Sequence, residues 1–170
     1  MPITVGGGVR SVTDVGRLLS SGADKVAIRT AYGVIQETAK QFGCQAIVAS
    51  IDYGGESYWM GREKAYALGY WPVRETAQAI EGIGAGEILL TSIEREGTMQ
   101  GYDLDLIREV SNAVDIPVIA HGGCSGPEDM LKAIEAGASA VAAGALFQFT
   151  EWTPRDCVEW LDKRGVEVRL

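Results

Sequence analysis

The sequence predicts an α/β protein, an incomplete TIM-barrel-like (βα)6 parallel array in a single domain over residues 1–170. Three observations lead there. Short apolar runs alternate with amphipathic helical stretches along the whole chain. Residues 2–31 (PITVGGGVRSVTDVGRLLSSGADKVAIRTA) align without a gap on residues 117–146 (PVIAHGGCSGPEDMLKAIEAGASAVAAGAL). Eight of the thirty positions are identical, among them Gly7 with Gly122, Gly8 with Gly123 and Gly22 with Gly137. Each copy reads strand, glycine turn, helix, Gly-Ala break, strand. Such a unit cannot bury its own strand faces, so duplicating it implies a parallel sheet covered by helices.

The first predicted strand is Ile3–Val5, and Gly6-Gly7-Gly8 lead from it into a helix over Ser11–Ser20. In that helix Val12, Val15, Leu18 and Leu19 fall on one stripe. The strand Lys25–Ile28 precedes a helix at Tyr32–Gln41, and Ala46–Ile51 reads as the third strand. A long excursion between Asp52 and Trp71 breaks the rhythm. Its Tyr58 and Trp59 read as facing Tyr66 in a small hairpin over one end of the sheet. Helices at Pro72–Ile83, Leu104–Ala113, Pro127–Glu135 and Pro154–Arg164 then alternate with strands at Glu87–Thr91, Pro117–Ala120 and Ala140–Ala143. Gly22, Gly43, Gly84 and Gly137 stand where left-handed helix stops are expected, and Pro127 and Pro154 where first-turn proline is tolerated.

Six units are two short of a closed (βα)8 barrel, which typically runs to about 250 residues. Open ends at Ile3–Val5 and Ala140–Ala143 would leave backbone groups unpaired, so a homo-oligomer completing the array is expected.

A net charge of -8 argues against nucleic acid or an anionic membrane as partner. It permits an anionic small molecule, because backbone N–H groups can bind phosphate on an acidic protein. Cys44, Cys124 and Cys157 are odd in number and far apart, which fits a reduced cytoplasmic setting. No metal-ligand spacing, leader or long apolar run is evident, so neither a metal, a cofactor nor a membrane is expected.

The candidate chemistry lies at the strand ends. The turns around Gly8 and Gly123 can bring backbone close to an anion at a helix start, with Thr30 and Gly144 contributed by the next strand of each copy. Asp52 ends the third strand, where parallel barrels place acid–base groups, although on location alone a helix-capping or loop aspartate is the commoner explanation. Thr91, with Ser92, Glu94, Glu96, Gly97 and Thr98 close behind, could hold hydroxyl or amine groups or form a solvated acidic loop. His121 is the only histidine; phosphate binding or loop occupancy suits it better than catalysis. Trp59, Trp71, Trp152 and Trp160 are expected to pack core or interface.

The segments PITVGGGVRS, GADKVAI, IVASID, GAGEILLTSIEREGTMQGYDLDLI, IPVIAHGG and GVEVRL together resemble the HisF family, the cyclase subunit of imidazole glycerol phosphate synthase. The resemblance spans the chain and covers the third to eighth βα units of the family barrel. It implies a phosphorylated small-molecule ligand, a glutaminase subunit (HisH-like) as ammonia-supplying partner, and a place in histidine biosynthesis. By resemblance Asp52 matches the second of two catalytic aspartates, the first lying on the family's first strand. Gly8 and Thr30 match one phosphate site, and Gly97, Gly123 and Gly144 the other. Thr91 matches a substrate-contacting threonine. Lys25 and Glu87 match half of a charged ring at the ammonia entrance. The chain departs from the family at Arg29 (asparagine), Glu96 (aspartate), His121 (serine) and Gly144 (serine). With one catalytic aspartate absent, the isolated chain is expected to be inactive or very weak, or a non-catalytic fragment that binds phosphate or self-associates. TMQGYDL and AVAAGALF also resemble a HisF-like branch that amidinates surface-polysaccharide sugars.

Overall fold

The computed structural model describes residues 2–29, 32–54, 57–59 and 72–168. Strand β1 (Thr4–Gly6) leads into helix α1 (Val12–Ser20), and β2 (Lys25–Ile28) into α2 (Tyr32–Phe42). A 3-10 turn at Cys44–Ala46 precedes β3 (Ile47–Gly54) and the short β4 (Ser57–Trp59). Then follow α3 (Val73–Gly82), β5 (Glu87–Ser92), α4 (Leu104–Ser111), β6 (Val118–His121), α5 (Pro127–Glu135), β7 (Ala140–Ala142), α6 (Ala145–Phe149) and α7 (Pro154–Asp162).

Among the described residues six strands run parallel in the order β1-β2-β3-β5-β6-β7, each beside its predecessor in the repeat. β4 alone is antiparallel, paired to the end of β3. The alternation of strand and helix gives an incomplete TIM-barrel-like array. β1 and β7 each pair on one side only among the described residues.

Side chains sort by strand period. In β5, Ile88, Leu90 and Ser92 are buried while Glu87, Leu89 and Thr91 are half-buried. Ile88 and Leu90 join Val26, Ile28, Ile47 and Ile51 in a core with Val15, Ile35, Ala77 and Val110 of the helices. The helices therefore cover one face of the sheet. A second core packs Ala120 of β6 against Met130, Ala133, Leu146, Cys157 and Leu161. The face opposite the helices carries Lys25, Ser50, Asp52, Glu87, Thr91 and His121, all half-buried.

Helix ends follow local chemistry. Ser11 accepts the Asp14 N–H and caps α1; Thr153 and Asp156 exchange hydrogen bonds in a capping box that starts α7. The predicted glycine stops hold: Gly22, Gly43, Gly84 and Gly137 all have φ between 86° and 111°.

Two elements differ from expectation. β3 runs on to Gly54 instead of stopping at Ile51, because β4 pairs Asp52 with Trp59 and Gly54 with Ser57 while β5 stays paired with it as far as Tyr53. α6 is a five-residue helix too short to leave a periodic signature. Tyr66, Trp71 and the remainder of the predicted hairpin lie outside the described residues. Trp160 packs on the second core with Arg164 stacked on its ring, whereas Trp152 is partly exposed. No helix among the described residues is long and apolar enough to cross a membrane.

Candidate functional site

In a parallel sheet all strand ends of one kind share a rim, so residues far apart in sequence meet there. Register decides which ones. Asp52 pairs with Thr91, Thr91 with His121, and His121 with Ala142, one level row across β3, β5, β6 and β7. The period-2 pleat then turns the first three side chains to the same, helix-free face.

Each is held by hydrogen bonds. Asp52 accepts from Ser50 Oγ at 3.2 Å and from the Arg29 guanidinium at 3.0 Å. Ser50 lies two residues back on the same strand and Arg29 just beyond β2, so the carboxylate is clamped from below and from the side. Arg29 itself is more than half exposed, which keeps this pair close to solvent and weakly stabilising. Thr91 Oγ1 lies 3.2 Å from His121 Nδ1, and Glu96 Oε2 lies 3.5 Å from Nε2.

The glycine turns ring this row. Gly7 and Gly8 follow β1 with φ of 103° and 69°, and Gly122 and Gly123 follow β6 with φ of 101° and 93°. A side chain at Gly123 would overlap the Gly101 carbonyl oxygen, whose own N–H donates to the Gly123 carbonyl at 2.7 Å. That turn is thus locked to the loop beginning at Gly97, also left-handed with φ of 75°. Gly8 faces open space. Gly144 caps α6 just after β7, and Tyr102 donates to the Ala142 carbonyl at 2.9 Å, fastening the Gly97–Gly101 loop to the last strand.

Thus Gly8, Asp52, Thr91, Glu96, Gly97, His121, Gly123 and Gly144 all belong to the C-terminal ends of the strands or the loops that follow. Thr30 lies outside the described residues. Lys25 and Glu87 are elsewhere: they form an ion pair at the opposite, N-terminal end of the sheet.

Arg29 as the partner of Asp52 and Ser50 as its second donor are not deducible from the chain. The first is 23 residues away and meets Asp52 only through the β2–β3 pairing. Cys124 adjoins the Gly123 turn, but burial pushes its thiol up, so it is a poor thiolate nucleophile at neutral pH. Tyr102 is likewise raised far above the ordinary phenol range, chiefly by burial, and acts as a neutral donor. Among the described residues no group of three or more His, Cys, Asp or Glu could hold a metal ion. The arrangement can therefore move protons at Asp52 or His121 and offer backbone N–H groups to anions.

The chain matches the family model described as histidine biosynthesis protein over residues 1–153. It is 41% identical over 180 aligned positions to imidazole glycerol phosphate synthase subunit HisF of Thermococcus onnurineus (strain NA1), covering all of this chain and 70% of that protein. The repeat of βα units, the glycine turns on one rim and this similarity agree: the chain belongs to the histidine biosynthesis protein family.

Proposed function

We propose that the rim around Asp52 binds a phosphorylated small molecule of the kind that HisF-type cyclases act on, with a phosphate near each glycine turn. The observation that carries this reading is the single level row Asp52–Thr91–His121 flanked by the turns at Gly8 and Gly123. Left-handed glycines let backbone N–H groups approach an anion, and open space at Gly8 leaves room for one. Asp52 serves as proton acceptor, its carboxylate oriented by Ser50 and Arg29. The Arg29 guanidinium, bonded to Asp52 and more than half exposed, adds a cation to this rim, which favours an anionic substrate.

Turnover by the 170-residue chain alone is weak or nil in this reading. One rim carboxylate supplies half of the acid–base pair that the family resemblance implies, and losing one partner commonly removes two or more orders of magnitude. A HisH-like glutaminase supplying ammonia, and a homo-oligomer joined through β1 and β7, belong to the same proposal.

The test is calorimetry with inorganic phosphate and with the substrate that the HisF resemblance implies, a ribulosyl-aminoimidazole-carboxamide ribotide with a phosphate at each end, alongside turnover of that ribotide with ammonium salts. Heat with both ligands supports the reading; no heat at millimolar ligand overturns it. Turnover that appears only when a segment spanning the two further βα units is added would place the chain as part of a cyclase. Binding without turnover in either case would make it a phosphate-binding barrel fragment.

A further inference from the structure

The pairing of His121 with Thr91 on one side and Glu96 on the other has chemical content beyond ligand binding. Thr91 Oγ1 is 3.2 Å from Nδ1, and Glu96 Oε2 is 3.5 Å from Nε2. A carboxylate facing Nε2 favours the tautomer that keeps its proton there, because the N–H then points at the negative charge. Nδ1 is left with its lone pair toward the threonine hydroxyl, which donates to it. Both ring nitrogens are thereby committed. The carboxylate beside Nε2 also repels an anion, so this geometry counts against a direct phosphate contact by His121.

We propose that Thr91, His121 and Glu96 form a proton relay in which His121 stores a proton that Thr91 exchanges with the substrate. The inference rests on the rim being the ligand site. Thr91 sits between Asp52 and His121 in the register row, with its hydroxyl on the open face. Asp52 and His121 are two strand spacings apart, about 10 Å between backbones, which leaves room for a small molecule between two proton-transfer groups. The step balances without a further reactant. A substrate X–H bond breaks as its proton forms a bond to Thr91 Oγ1, while the Thr91 O–H bond breaks and its proton bonds to Nδ1. The resulting imidazolium is stabilised by the Glu96 carboxylate. The reverse transfer returns a proton to the departing group. Thr91 is the group at the substrate, and His121 acts through it as a positioning residue.

His121 is the only histidine, so its two ring nitrogens give a single pair of ¹⁵N resonances in the full chain. The expected spectrum of the neutral ring shows a protonated Nε2 and an unprotonated, hydrogen-bonded Nδ1. Thr91→Val, nearly isosteric, and Glu96→Gln, on an exposed loop, should each change the tautomer ratio at least twofold. A dominant Nδ1–H form, or a ratio unmoved by both variants, would overturn the relay. Calorimetry with inorganic phosphate on the same samples separates the two ideas. The expected tautomer without ligand heat would sink the binding reading and, with it, the exchange with a substrate, leaving only the hydrogen-bonded Thr91–His121–Glu96 arrangement; ligand heat with the wrong tautomer would sink the relay alone.

Discussion

At the scale of single residues the rim separates positions that are strained from positions that are only permissive. Gly8 and Gly123 both have positive φ, yet a side chain would meet nothing at Gly8 and the Gly101 carbonyl at Gly123. Gly8→Ala should therefore cost only the left-handed backbone penalty, about 1 kcal/mol. Gly123→Ala adds a backbone clash and the loss of its bond with Gly101, and should cost about 3 kcal/mol. Urea denaturation of the two variants checks the difference; equal costs would mean that the Gly123 turn is not locked. Asp52→Asn tests chemistry instead. It keeps the shape that Ser50 and Arg29 clamp but removes the proposed proton acceptor, so any turnover should fall about a hundredfold or more. Heat of phosphate binding should stay within about twofold. Retained turnover would remove Asp52 from the chemistry. What the sequence could show at this scale was position along a strand; which residues touch was beyond it. Asp52, Thr91 and His121 could each be placed at a strand tip from alternation alone. Their shared row, the Arg29 clamp and the His121–Glu96 contact depend on register between strands separated by helices, and no local pattern encodes that.

Elements with a clear period were readable, and those without one were not. All six parallel strands and their long helices follow from runs of three to eight residues and from 3.6-residue stripes, with glycine and proline marking the ends. The extension of β3 past Ile51 escaped because pairing with β4 and β5 supplies it from outside the run. Helix starts carry a pH signature of their own. The carboxyls of Asp14 and Asp156 are held below the ordinary value, first by hydrogen bonds from the Ser11 and Thr153 hydroxyls and then by backbone N–H groups. A depressed carboxyl stabilises the fold above its unfolded value near pH 4 and loses that contribution as pH falls through its lower folded value. Helical signal in α1 and α7 should therefore weaken on acidification below about pH 4. Asp156→Asn should flatten that dependence when circular dichroism is followed from pH 6 to pH 2, and an unchanged profile would refute the cap assignment. Thr153→Ala removes the cap at neutral pH and should cost about 1 kcal/mol in thermal or urea unfolding.

Over the whole molecule, apolar exposure is not scattered at random. Among the described residues the exposed large hydrophobic side chains are Ile3 at 49%, Ile93 at 42%, Phe149 at 74% and Trp152 at 38%. Ile3 immediately precedes β1, and Phe149 and Trp152 follow β7. Three of the four thus flank the two strands that pair on one side only. A partner chain laid along these ends would pair backbone groups and cover that surface together. Burying an exposed phenylalanine contributes about 2 kcal/mol, and a two-fold partner counts every residue twice. The sum is of the order of the 8 kcal/mol that a micromolar dimer needs, with strand hydrogen bonds adding to it and lost rotational freedom subtracting. The chain should therefore show a mass of two or more copies by light scattering at micromolar concentration. Phe149→Ser combined with Trp152→Ser should raise the concentration at which it dissociates at least tenfold, while far-ultraviolet circular dichroism stays unchanged, because neither side chain belongs to the buried cores. The same variant should leave phosphate binding at the Gly8 turn intact, since the two substituted residues lie beyond the other end of the sheet. A wild-type mass of one chain would mean that the ends of the array are capped without a second copy, and edge pairing would no longer account for where the apolar surface lies.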